Sequence, residues 1–590
     1  FASDGQDVYK IKVIGFQPYF YVPISDSIPE NENIIAVEGS LEPSAMTQPP
    51  FFHEDGFPVK KIIVSSPDAV HSNELSLRSL FTKHYEADIP FIRRFLIDTK
   101  ITSGFVIINN KIDLVNYRDL IPSDFTAPLR ICYIDWEFES TTRFPNPHHP
   151  IQPCTAWTAY CTYGNQYITC ATDDQLQVEL VIGKWKPNWT VIKVKKEETL
   201  FLQFVKYLET FQPSLITGWN IKVPDVEYPY YRAKQFNIEL PYRNSDMLDL
   251  CQAYQAVHHR LYNRLKDVAV EEGIYEPNNL VADEYHKDMR KTDLNKFINY
   301  NKMDVEILVK LDQEGWFLKN EFGKEEYQPP RELCAFFWNL KTFVGLEKCG
   351  SAIHNSVLVD TLMLRKASGR FILNSSPEGE GIKYKGAVVF APPEGIFEDL
   401  AVFDMSRYYP NIILGYNIDQ LSCEVVRDLM AKREEFEKEL IKYSINSPDF
   451  NTWEKKRTIT KYLLNSTYGY LGSPRSRKYE RSKAEKITVK AVDGLMIIKS
   501  ATEANTSELL TKMSNSFGYK LEHGFRVIYG DSVVKGTPIL IKRNGEFDVI
   551  PIEDVLVGDK TIVENGWTDV HKVIKKISTK TFYRVETYDG

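Results

Sequence analysis

Two carboxylates stand two residues apart at the end of an apolar, strand-like run. The run starts at Arg130, and Asp135 and Glu137 flank a single tryptophan. Alternate residues of a strand point to the same face, so both carboxylates should lie on one side of a sheet. Two carboxylates so placed repel each other unless a cation lies between them. The spacing therefore predicts a place for a divalent metal ion.

Two later segments bring further polar groups to this candidate site. The apolar run from Ile216 ends in polar residues that include Asn220 and Asp225. In a helix-like stretch, Tyr300 and Asp304 are four residues apart and share a face. Four carboxylates from three elements could hold two ions about 3.5–4 Å apart. One ion would generate hydroxide, and the other would stabilise the leaving oxygen. Tyr300 could orient the attacking water. Each acid alone is more simply an ordinary strand-end or helix-surface residue, but the ordered set indicates phosphoryl-transfer chemistry.

A second set of residues has the types that bind phosphates and bases. An apolar strand-like run ends in Asp404. Further along the chain, Lys461, Asn465 and Tyr468 lie on one face of a helix-like stretch. A lysine at that position can contact a triphosphate, and a tyrosine can stack near a base.

Another helix is predicted between these two motifs, over Arg427–Ser444. Its spacing predicts an ion pair between Glu434 and Lys438. It also offers Arg433 as a second phosphate ligand, because a guanidinium fork matches phosphate geometry. Taken alone, Arg433 is more simply a solvated helix-face residue. A loop signal rich in Asn, Ser and Pro ends at Pro448 and separates this helix from the next.

Length, charge and cysteine usage narrow the class of protein. The 590 residues suggest about four domains of roughly 150 residues each. A formal net charge of −8 argues against a uniformly basic nucleic-acid binder, although a binding groove needs only local Lys and Arg. The eight cysteines form no Cys-x-x-Cys pair, so a zinc site is not expected, and buried thiols suit a reducing compartment.

The chain lacks the sequence signals of secretion and membrane insertion. No apolar run is long enough to span a bilayer, and no signal peptide is recognisable. We therefore expect an intracellular protein, in the nucleus, the cytoplasm or a viral replication site, with no membrane partner. Because the first residue is Phe1, we expect the N-terminus to be incomplete.

Together, these motifs resemble those of the family B DNA polymerases that carry a proofreading 3′→5′ exonuclease. Asp135-Trp-Glu137, Asn220–Asp225 and Tyr300–Asp304 are similar to the three exonuclease motifs of that family. Asp404–Pro410 resembles its first polymerase motif, and Lys461–Gly469 resembles its second. The resemblance implies an enzyme, a nucleotidyltransferase that is also a nuclease.

The resemblance also implies two metal-dependent active sites with two Mg²⁺ or Mn²⁺ ions each. The metal ligands it implies are Asp135, Glu137, Asp225, Asp304, Asp404 and Asp531. The nucleotide-binding residues it implies are Tyr409, Arg433, Lys461, Asn465 and Tyr468, with Tyr409 in the place of the steric gate against a ribose 2′-hydroxyl. The substrates would be dNTPs, primer–template DNA and a single-stranded 3′ end in the exonuclease site; a sliding clamp is a further candidate partner. The positions that depart from the family motifs are Pro224, Met405, Arg407, Tyr408 and Asn411.

The third polymerase motif of the family, Tyr-Gly-Asp-Thr-Asp, stops here after Asp531. The next residue, Ser532, opens a segment that resembles the N-terminal part of an intein, with signatures at Gly536-Thr-Pro, Val555–Asp559 and Asn565-Gly-Trp567. Ser532 would attack the carbonyl of Asp531 in an N-to-O acyl shift. Splicing would need a complementary C-terminal segment that carries the rest of the intein and polymerase. A truncated sequence explains the missing rest of the intein and polymerase better than a naturally split protein does.

The predicted function is a family B DNA polymerase with a proofreading exonuclease, interrupted by an intein. Nucleotide incorporation is not expected from this chain alone. One alternative is an autonomous metal-dependent 3′→5′ exonuclease. Another is a protein-splicing precursor, or a loop insertion without splicing.

The expected fold is multidomain, with α/β and α+β parts. It combines an RNase H-like exonuclease domain, a partial palm with helical fingers, and a β-rich, Hint-type intein fragment. Two long helices are expected in the palm and fingers. The predicted boundaries are an N-terminal domain at 1–125, the exonuclease domain at 126–330, a connecting region and start of the palm at 331–400, the first part of the palm at 401–425, the fingers at 426–472, the second and incomplete part of the palm at 473–531, and the intein fragment at 532–590.

Overall fold

The chain divides into two compact units, Phe1–Ser375 and Ser376–Gly590. The computed structural model describes residues 2–5, 7–39, 50–71, 76–108, 114–139, 146–242, 245–258, 264–276, 286–319, 324–377, 389–390, 405, 407–445, 447–504, 530–531, 538–543, 546–551, 560–563, 566–577 and 581–587. We call the two units unit 1 and unit 2.

Unit 1 begins with short strands. Its first elements are β1 (Ala2–Ser3), β2 (Val8–Tyr9), β3 (Lys12–Ile14), β4 (Tyr19–Pro23), β5 (Ile34–Glu38), β6 (Phe51–Phe52), β7 (Pro58–Val64), α1 (Asp68–His71), α2 (Phe91–Asp98), β8 (Gly104–Ile107), β9 (Leu114–Asn116) and β10 (Leu120–Ser123). Strand β7 is the centre of a four-stranded sheet, where it pairs antiparallel with β4, β5 and β6. A small core that includes Phe20 and Ile62 lies against this sheet.

The middle of unit 1 is a mixed α/β domain, as the expected α/β fold class implies. Its elements are β11 (Ile131–Phe138), β12 (Cys154–Cys161), β13 (Gln166–Thr172), β14 (Leu180–Lys186), β15 (Trp189–Val194), α3 (Glu197–Phe211), β16 (Leu215–Gly218), α4 (Tyr228–Lys234), β17 (Asp246–Asp249), α5 (Leu250–His258), α6 (Leu265–Glu271), α7 (His286–Thr292) and α8 (Leu294–Val309). The seven strands are ordered β14-β15-β13-β12-β11-β16-β17. Strand β11 pairs antiparallel with β12 and parallel with β16, so it lies well inside the sheet.

Helix α3 covers part of this sheet with a row of apolar residues. Its buried side chains recur at helical spacing and are Leu200, Phe201, Phe204, Tyr207 and Leu208. Trp157 of β12 lies against them, fully buried, and its indole N–H donates to the carbonyl of Leu200 at 3.1 Å. Burial of a side chain such as Phe204 contributes about 1.5–3 kcal/mol. This packing fixes β12, the strand that pairs with β11, on which the first carboxylates stand.

Unit 1 continues past the domain boundary predicted at 330, to Ser375. Its last elements are β18 (Trp316–Lys319), β19 (Glu325–Gln328), α9 (Leu333–Val344) and α10 (Asn355–Ala367). The physical reason is packing: α9 lies against α5 and α10 against α2. A two-pronged ion pair, with Arg93 Nε and Nη2 at 2.8 and 2.7 Å from the Glu347 carboxylate, joins α2 to the segment between α9 and α10.

Unit 2 contains a helical hairpin at the place predicted for the fingers. Its elements are β20 (Val389–Phe390), α11 (Tyr408–Gly415), α12 (Gln420–Leu440), α13 (Pro448–Leu471), α14 (Arg481–Ala504), β21 (Gly530–Asp531), β22 (Pro538–Arg543), β23 (Glu546–Pro551), β24 (Lys560–Val563), β25 (Gly566–Ile577) and β26 (Thr581–Thr587). Helix α13 starts where the loop signal ends, because Ser447 caps the backbone N–H of Phe450 and Pro448 needs no hydrogen-bond partner there. Phe436 and Trp453 pack across the hairpin with ring centroids 5.6 Å apart.

Two features of unit 2 differ from the prediction. Helix α14 is a third long helix where only two were expected. Its buried face carries Ala484, Ile487 and Ala491, which are mostly small, so the apolar period in the sequence is weak. The predicted pair between Glu434 and Lys438 is replaced by a contact of Glu434 with an arginine earlier in the chain, described below.

The C-terminal part of unit 2 is β-rich, as predicted for this segment. Five strands form an antiparallel sheet in the order β23-β22-β24-β25-β26. The strands on either side of Asn544-Gly545 and of Asn565-Gly566 pair directly, with Arg543 opposite Glu546 and Val563 opposite Gly566. Earlier in unit 2, β21 pairs antiparallel with β20, which places Asp531 opposite Val389.

All eight cysteines of the chain are buried and none forms a disulfide, in line with the expectation of buried thiols. Burial raises the pKa of the Cys132 and Cys170 thiols well above the ordinary range. A raised pKa keeps a thiol protonated and unreactive.

Candidate active site

Three of the predicted metal ligands converge in unit 1. Asp135 and Glu137 stand on β11, and Asp304 stands on α8, which packs against β11 and β12. One carboxylate oxygen from each of the three lies within 4.8 Å of the others. Asp304 is buried, whereas Asp135 and Glu137 are half-buried. The strand therefore presents both of its carboxylates to one helix, as the two-residue spacing predicts.

The fourth predicted ligand, Asp225, is anchored to the same strand by the main chain. Asp225 is 3% exposed, and its Oδ1 accepts a hydrogen bond of 2.8 Å from the backbone N–H of Trp136, the residue between Asp135 and Glu137. It lies in a π-helical turn, Lys222–Glu227. Pro224 occurs in the first turn of this segment, where a backbone N–H has no helical partner to lose.

The turn that carries Asp225 depends on a close approach of two strands. A Cβ at Gly218 would lie 2.7 Å from the carbonyl oxygen of Ile134, so only glycine lets β16 end beside β11. Asn220 then adopts the left-handed conformation, with φ of 56°, which asparagine tolerates better than most residues. Its backbone N–H donates to Asp249 Oδ1 at 3.1 Å. These contacts explain the glycine and the asparagine of the Thr-Gly-Trp-Asn run at this position.

Asn301 is a site residue that sequence reasoning missed. It is fully buried on α8, and its Nδ2 donates to Asp135 Oδ2 at 2.6 Å. Its Oδ1 accepts from the hydroxyl of Thr158 on β12 at 2.6 Å. Asn301 thus fixes the orientation of the Asp135 carboxylate. The only sequence signal was its position beside Tyr300.

Lys266 is the second missed residue. It lies on α6, and its Nζ donates to Tyr300 Oη at 2.7 Å and lies 3.9 Å from Asp304 Oδ1. Because an ammonium group only donates, the Tyr300 oxygen is the acceptor in this bond and its own proton must point elsewhere. Lys266 therefore sets the orientation of the hydroxyl that was predicted to position water. No spacing rule links Lys266 to residues so far along the chain.

The carboxylates of the site disfavour one another's ionisation. Burial raises the pKa of Asp135 well above its ordinary value, and the charges of Glu137, Asp225 and Asp304 raise it further, while Lys266 opposes the shift. Burial also raises the pKa of Asp225, against the stabilising N–H of Trp136. A cation among these groups would reverse the effect, because it favours the charged forms.

The donor set fits a hard divalent cation. All four groups offer carboxylate oxygens, which suit Mg²⁺ or Mn²⁺, and neither a thiolate nor an imidazole is among them. The hydrogen bond from Asn301 and the backbone tether of Asp225 hold two of the carboxylates in fixed orientations, as ligands of a metal site require.

Replacing Asp135 by asparagine should stabilise the metal-free protein at neutral pH. The pKa of Asp135 is raised by folding, so its contribution to stability is fully present below the ordinary carboxyl pKa and is lost as the pH rises through the raised pKa. Asparagine does not titrate and can still accept from Asn301. In EDTA at pH 7.5, chemical denaturation should show a free energy of unfolding higher by about 0.5–2 kcal/mol, the usual range for a stabilising substitution.

The increase in the free energy of unfolding should become smaller towards pH 4, where the carboxyl group of Asp135 is protonated in the wild-type chain. Glu209→Gln, on the exposed side of α3, is the matched control and should change stability little at either pH. An equal or lower stability of Asp135→Asn at pH 7.5 would show that the carboxylates do not repel one another in the folded chain.

The residues predicted for nucleotide binding lie in unit 2. Lys461 is exposed and Asn465 and Tyr468 are half-buried, all on α13. Tyr409 is 4% exposed and stacks on Tyr468, with ring centroids 4.6 Å apart and planes 18° apart. The structure therefore brings the predicted steric-gate tyrosine against the predicted base-stacking tyrosine.

The other predicted residues of unit 2 are described to different extents. Arg433 lies on α12 and pairs with Glu437, its Nε 2.9 Å from Oε1. Asp531 lies in β21, where the backbone is described. Asp404 and Ser532 fall outside the described residues.

Within the part of the chain that is described, no helix combines the length and the apolarity needed to cross a bilayer.

Comparisons with known proteins point to one family. Residues 82–252 match the model of the DNA polymerase family B exonuclease domain, and residues 352–421 and 421–534 match the model of DNA polymerase family B. The DNA polymerase of Archaeoglobus fulgidus is 23% identical over 596 residues, covering 90% of this chain and 67% of that protein. DNA polymerase 2 of Aeropyrum pernix is 22% identical over 617 residues, covering 90% of this chain and 69% of that one.

A solved structure shows the same fold. The family B DNA polymerase of the hyperthermophilic archaeon Pyrobaculum calidifontis superposes with a TM-score of 0.63 at 18% identity, covering 98% of this chain and 76% of that one. A family B exonuclease domain followed by the family B polymerase match defines a DNA polymerase with its own exonuclease domain. The chain belongs to the family B DNA polymerases. It spans about two thirds of the length of these two relatives.

Proposed function

We propose that unit 1 is a metal-dependent 3′→5′ exonuclease that removes nucleotides from a single-stranded DNA end. The observation that supports this most is the convergence of Asp135, Glu137 and Asp304, with Asp225 tethered to the same strand. These four carboxylates would hold Mg²⁺ or Mn²⁺. The bound ions would supply an activated water and stabilise the leaving oxygen.

The remaining site residues orient the reacting groups. Asn301 holds the Asp135 carboxylate, and Lys266 holds the Tyr300 hydroxyl. With its oxygen engaged by Lys266, Tyr300 would donate its proton to the attacking water or to a phosphate oxygen. Burial of Tyr300 and Asp304 keeps these contacts away from bulk solvent, which strengthens them.

The experiment is a cleavage assay with a 5′-labelled single strand. The full chain with Mg²⁺ or Mn²⁺ should produce a ladder that shortens from the 3′ end, and excess EDTA should stop it. A strand with a 3′-terminal phosphorothioate should be degraded more slowly. Cleavage that starts inside the strand, or that persists in EDTA, would contradict the proposal.

Replacing Lys266 by methionine should lower the exonuclease rate by about 10- to 100-fold, the range for groups that orient metal ligands. The substitution also removes a charge that lowers the pKa of Asp135. The rise of the rate with pH should therefore shift to higher pH, in single-turnover measurements between pH 6 and pH 9. Lys266→Arg keeps the charge and should keep the pH profile. A uniform loss of rate at every pH would show a merely structural role.

We further infer that the whole protein is a DNA-directed DNA polymerase, with dNTPs and primer–template DNA as substrates. Support comes from the family match and from the common helical face of Lys461, Asn465 and Tyr468. Lys461 and Arg433 would contact the triphosphate, and Tyr409 would exclude a ribose 2′-hydroxyl. Asp404 and Asp531 would hold the metal ions of this second site.

We also propose that the segment from Ser532 onward is the N-terminal part of an intein, inserted in the third polymerase motif. Two observations favour this: the polymerase match ends at residue 534, and the tail forms an antiparallel sheet of its own strands. Ser532 would be the first splice nucleophile. A complementary C-terminal segment would complete both the intein and the polymerase.

A further inference from the structure

Four charged side chains of unit 2 form one connected network, which we call the α12 network. Arg407 Nη1 lies 2.8 Å from Glu434 Oε1, and Arg407 Nη2 lies 3.1 Å from Glu437 Oε2. The other oxygen of Glu437 lies 2.9 Å from Arg433 Nε. The side chains of Arg407 and Arg433 are only 18% and 14% exposed. Glu437 is therefore shared by two partly buried guanidinium groups.

Arg407 reaches this network from an uncommon backbone conformation. Its φ of 55° and ψ of 43° lie in the left-handed region, directly before α11. A residue other than glycine persists there when surrounding contacts determine it. The ion pairs with Glu434 and Glu437 are such contacts. Arg407 stands where the first polymerase motif has serine, a residue that could offer α12 no charge.

Glu437 affects the nucleotide site because Arg433 is the predicted phosphate ligand. Carboxylates and phosphates are both anions that bind the same edge of a guanidinium group. In this structure, Glu437 already occupies Arg433 Nε. A triphosphate that binds Arg433 there has to displace the carboxylate. The displaced carboxylate would repel the triphosphate unless another cation holds it, and Arg407 is placed to do so.

We propose that Glu437 competes with the triphosphate of the incoming nucleotide for Arg433, and that Arg407 holds Glu437 once the nucleotide has displaced it. This inference rests on the proposed nucleotide-binding role of Arg433. It makes Glu437 and Arg407 residues that determine nucleotide affinity by acting through Arg433. Removing the charge of Glu437 and removing Arg407 should therefore change the affinity for the nucleotide in opposite directions.

Calorimetric titration of the full chain with dGTP·Mg²⁺ at fixed ionic strength tests the proposal. All variants carry Asp135→Ala and Glu137→Ala, so that the exonuclease site does not bind the metal–nucleotide complex. Glu437→Gln should bind dGTP about three- to tenfold more tightly, because Arg433 loses its charged competitor. Arg407→Ala should bind about three- to tenfold more weakly, because Glu437 then pairs with Arg433 alone. Arg407→Lys should lie between Arg407→Ala and the parent, and it replaces the alanine variant if that one does not fold.

The control is Glu435→Gln, which removes the same charge from an exposed position on α12 and should leave the affinity unchanged. Equal tightening by Glu435→Gln would show a general charge effect and overturn the proposal. Weaker binding by Arg433→Ala without tightening by Glu437→Gln would also overturn it, while leaving the role of Arg433 intact. If Arg433→Ala leaves the affinity unchanged, or if no variant binds dGTP, the proposed nucleotide site itself is wrong.

Discussion

Replacing Asp135 and Glu137 together by alanine should abolish degradation of single-stranded DNA by the full chain. The two residues supply two of the three oxygens that lie within 4.8 Å of one another, so the variant lacks the centre of the proposed metal site. Removing one preorganised electrostatic group from an active site costs about 10²–10³-fold in rate. Loss of two should place cleavage below detection in a gel assay with a 5′-labelled strand and saturating Mg²⁺.

The variant should remain folded, because it removes two charges that disfavour each other in the folded chain. A matched control, Glu198→Ala with Glu209→Ala, removes two carboxylates from exposed positions of α3 and should keep the wild-type rate. Thermal unfolding of all three proteins separates loss of the site from loss of the fold. Undiminished cleavage by the Asp135 and Glu137 variant would mean that the nuclease site lies elsewhere.

Replacing Ser532 by alanine should block ligation at the proposed splice junction. The chain is mixed with a C-terminal intein segment fused to the remainder of the polymerase, and the products are weighed by mass spectrometry. The wild-type chain should yield a product in which Asp531 is joined to the incoming residue. Alanine has no side-chain oxygen to attack the Asp531 carbonyl, so no joined product should form.

Ser532→Cys is the matched control, because a thiolate is the stronger nucleophile and should preserve ligation. Without the second segment, the bond between Asp531 and Ser532 should stay largely intact in the wild-type chain. A joined product from the alanine variant would show that residue 532 is not the splice nucleophile. Absence of product from both the serine and cysteine forms would favour an insertion without splicing.

The parts of the site that follow from local geometry were predictable from the sequence. Strand alternation brings Asp135 and Glu137 to one face, and helix spacing brings Tyr300 and Asp304 to another. The loop between α12 and α13, which ends at Pro448, followed from its Asn, Ser and Pro residues. In each case the relevant residues are neighbours along the chain.

The parts that depend on packing between distant elements were not predictable. Lys266 meets Tyr300 only because α6 packs against α8. Glu434 was expected to pair with Lys438 one turn away, yet it contacts Arg407, which lies 27 residues earlier. A partly buried guanidinium that bridges Glu434 and Glu437 offers a more fixed partner than a lysine on the same helix. Local spacing therefore predicted that Glu434 forms an ion pair but gave the wrong partner.

The burial of all eight cysteines makes this chain suited to site-specific fluorescence labelling. A maleimide reacts with an accessible thiolate, and none of the native thiols is accessible in the folded protein. A cysteine introduced at an exposed position such as Glu435 would then be the residue that takes the dye. A dye at that position would report on α12, one molecule at a time, without first removing the native cysteines.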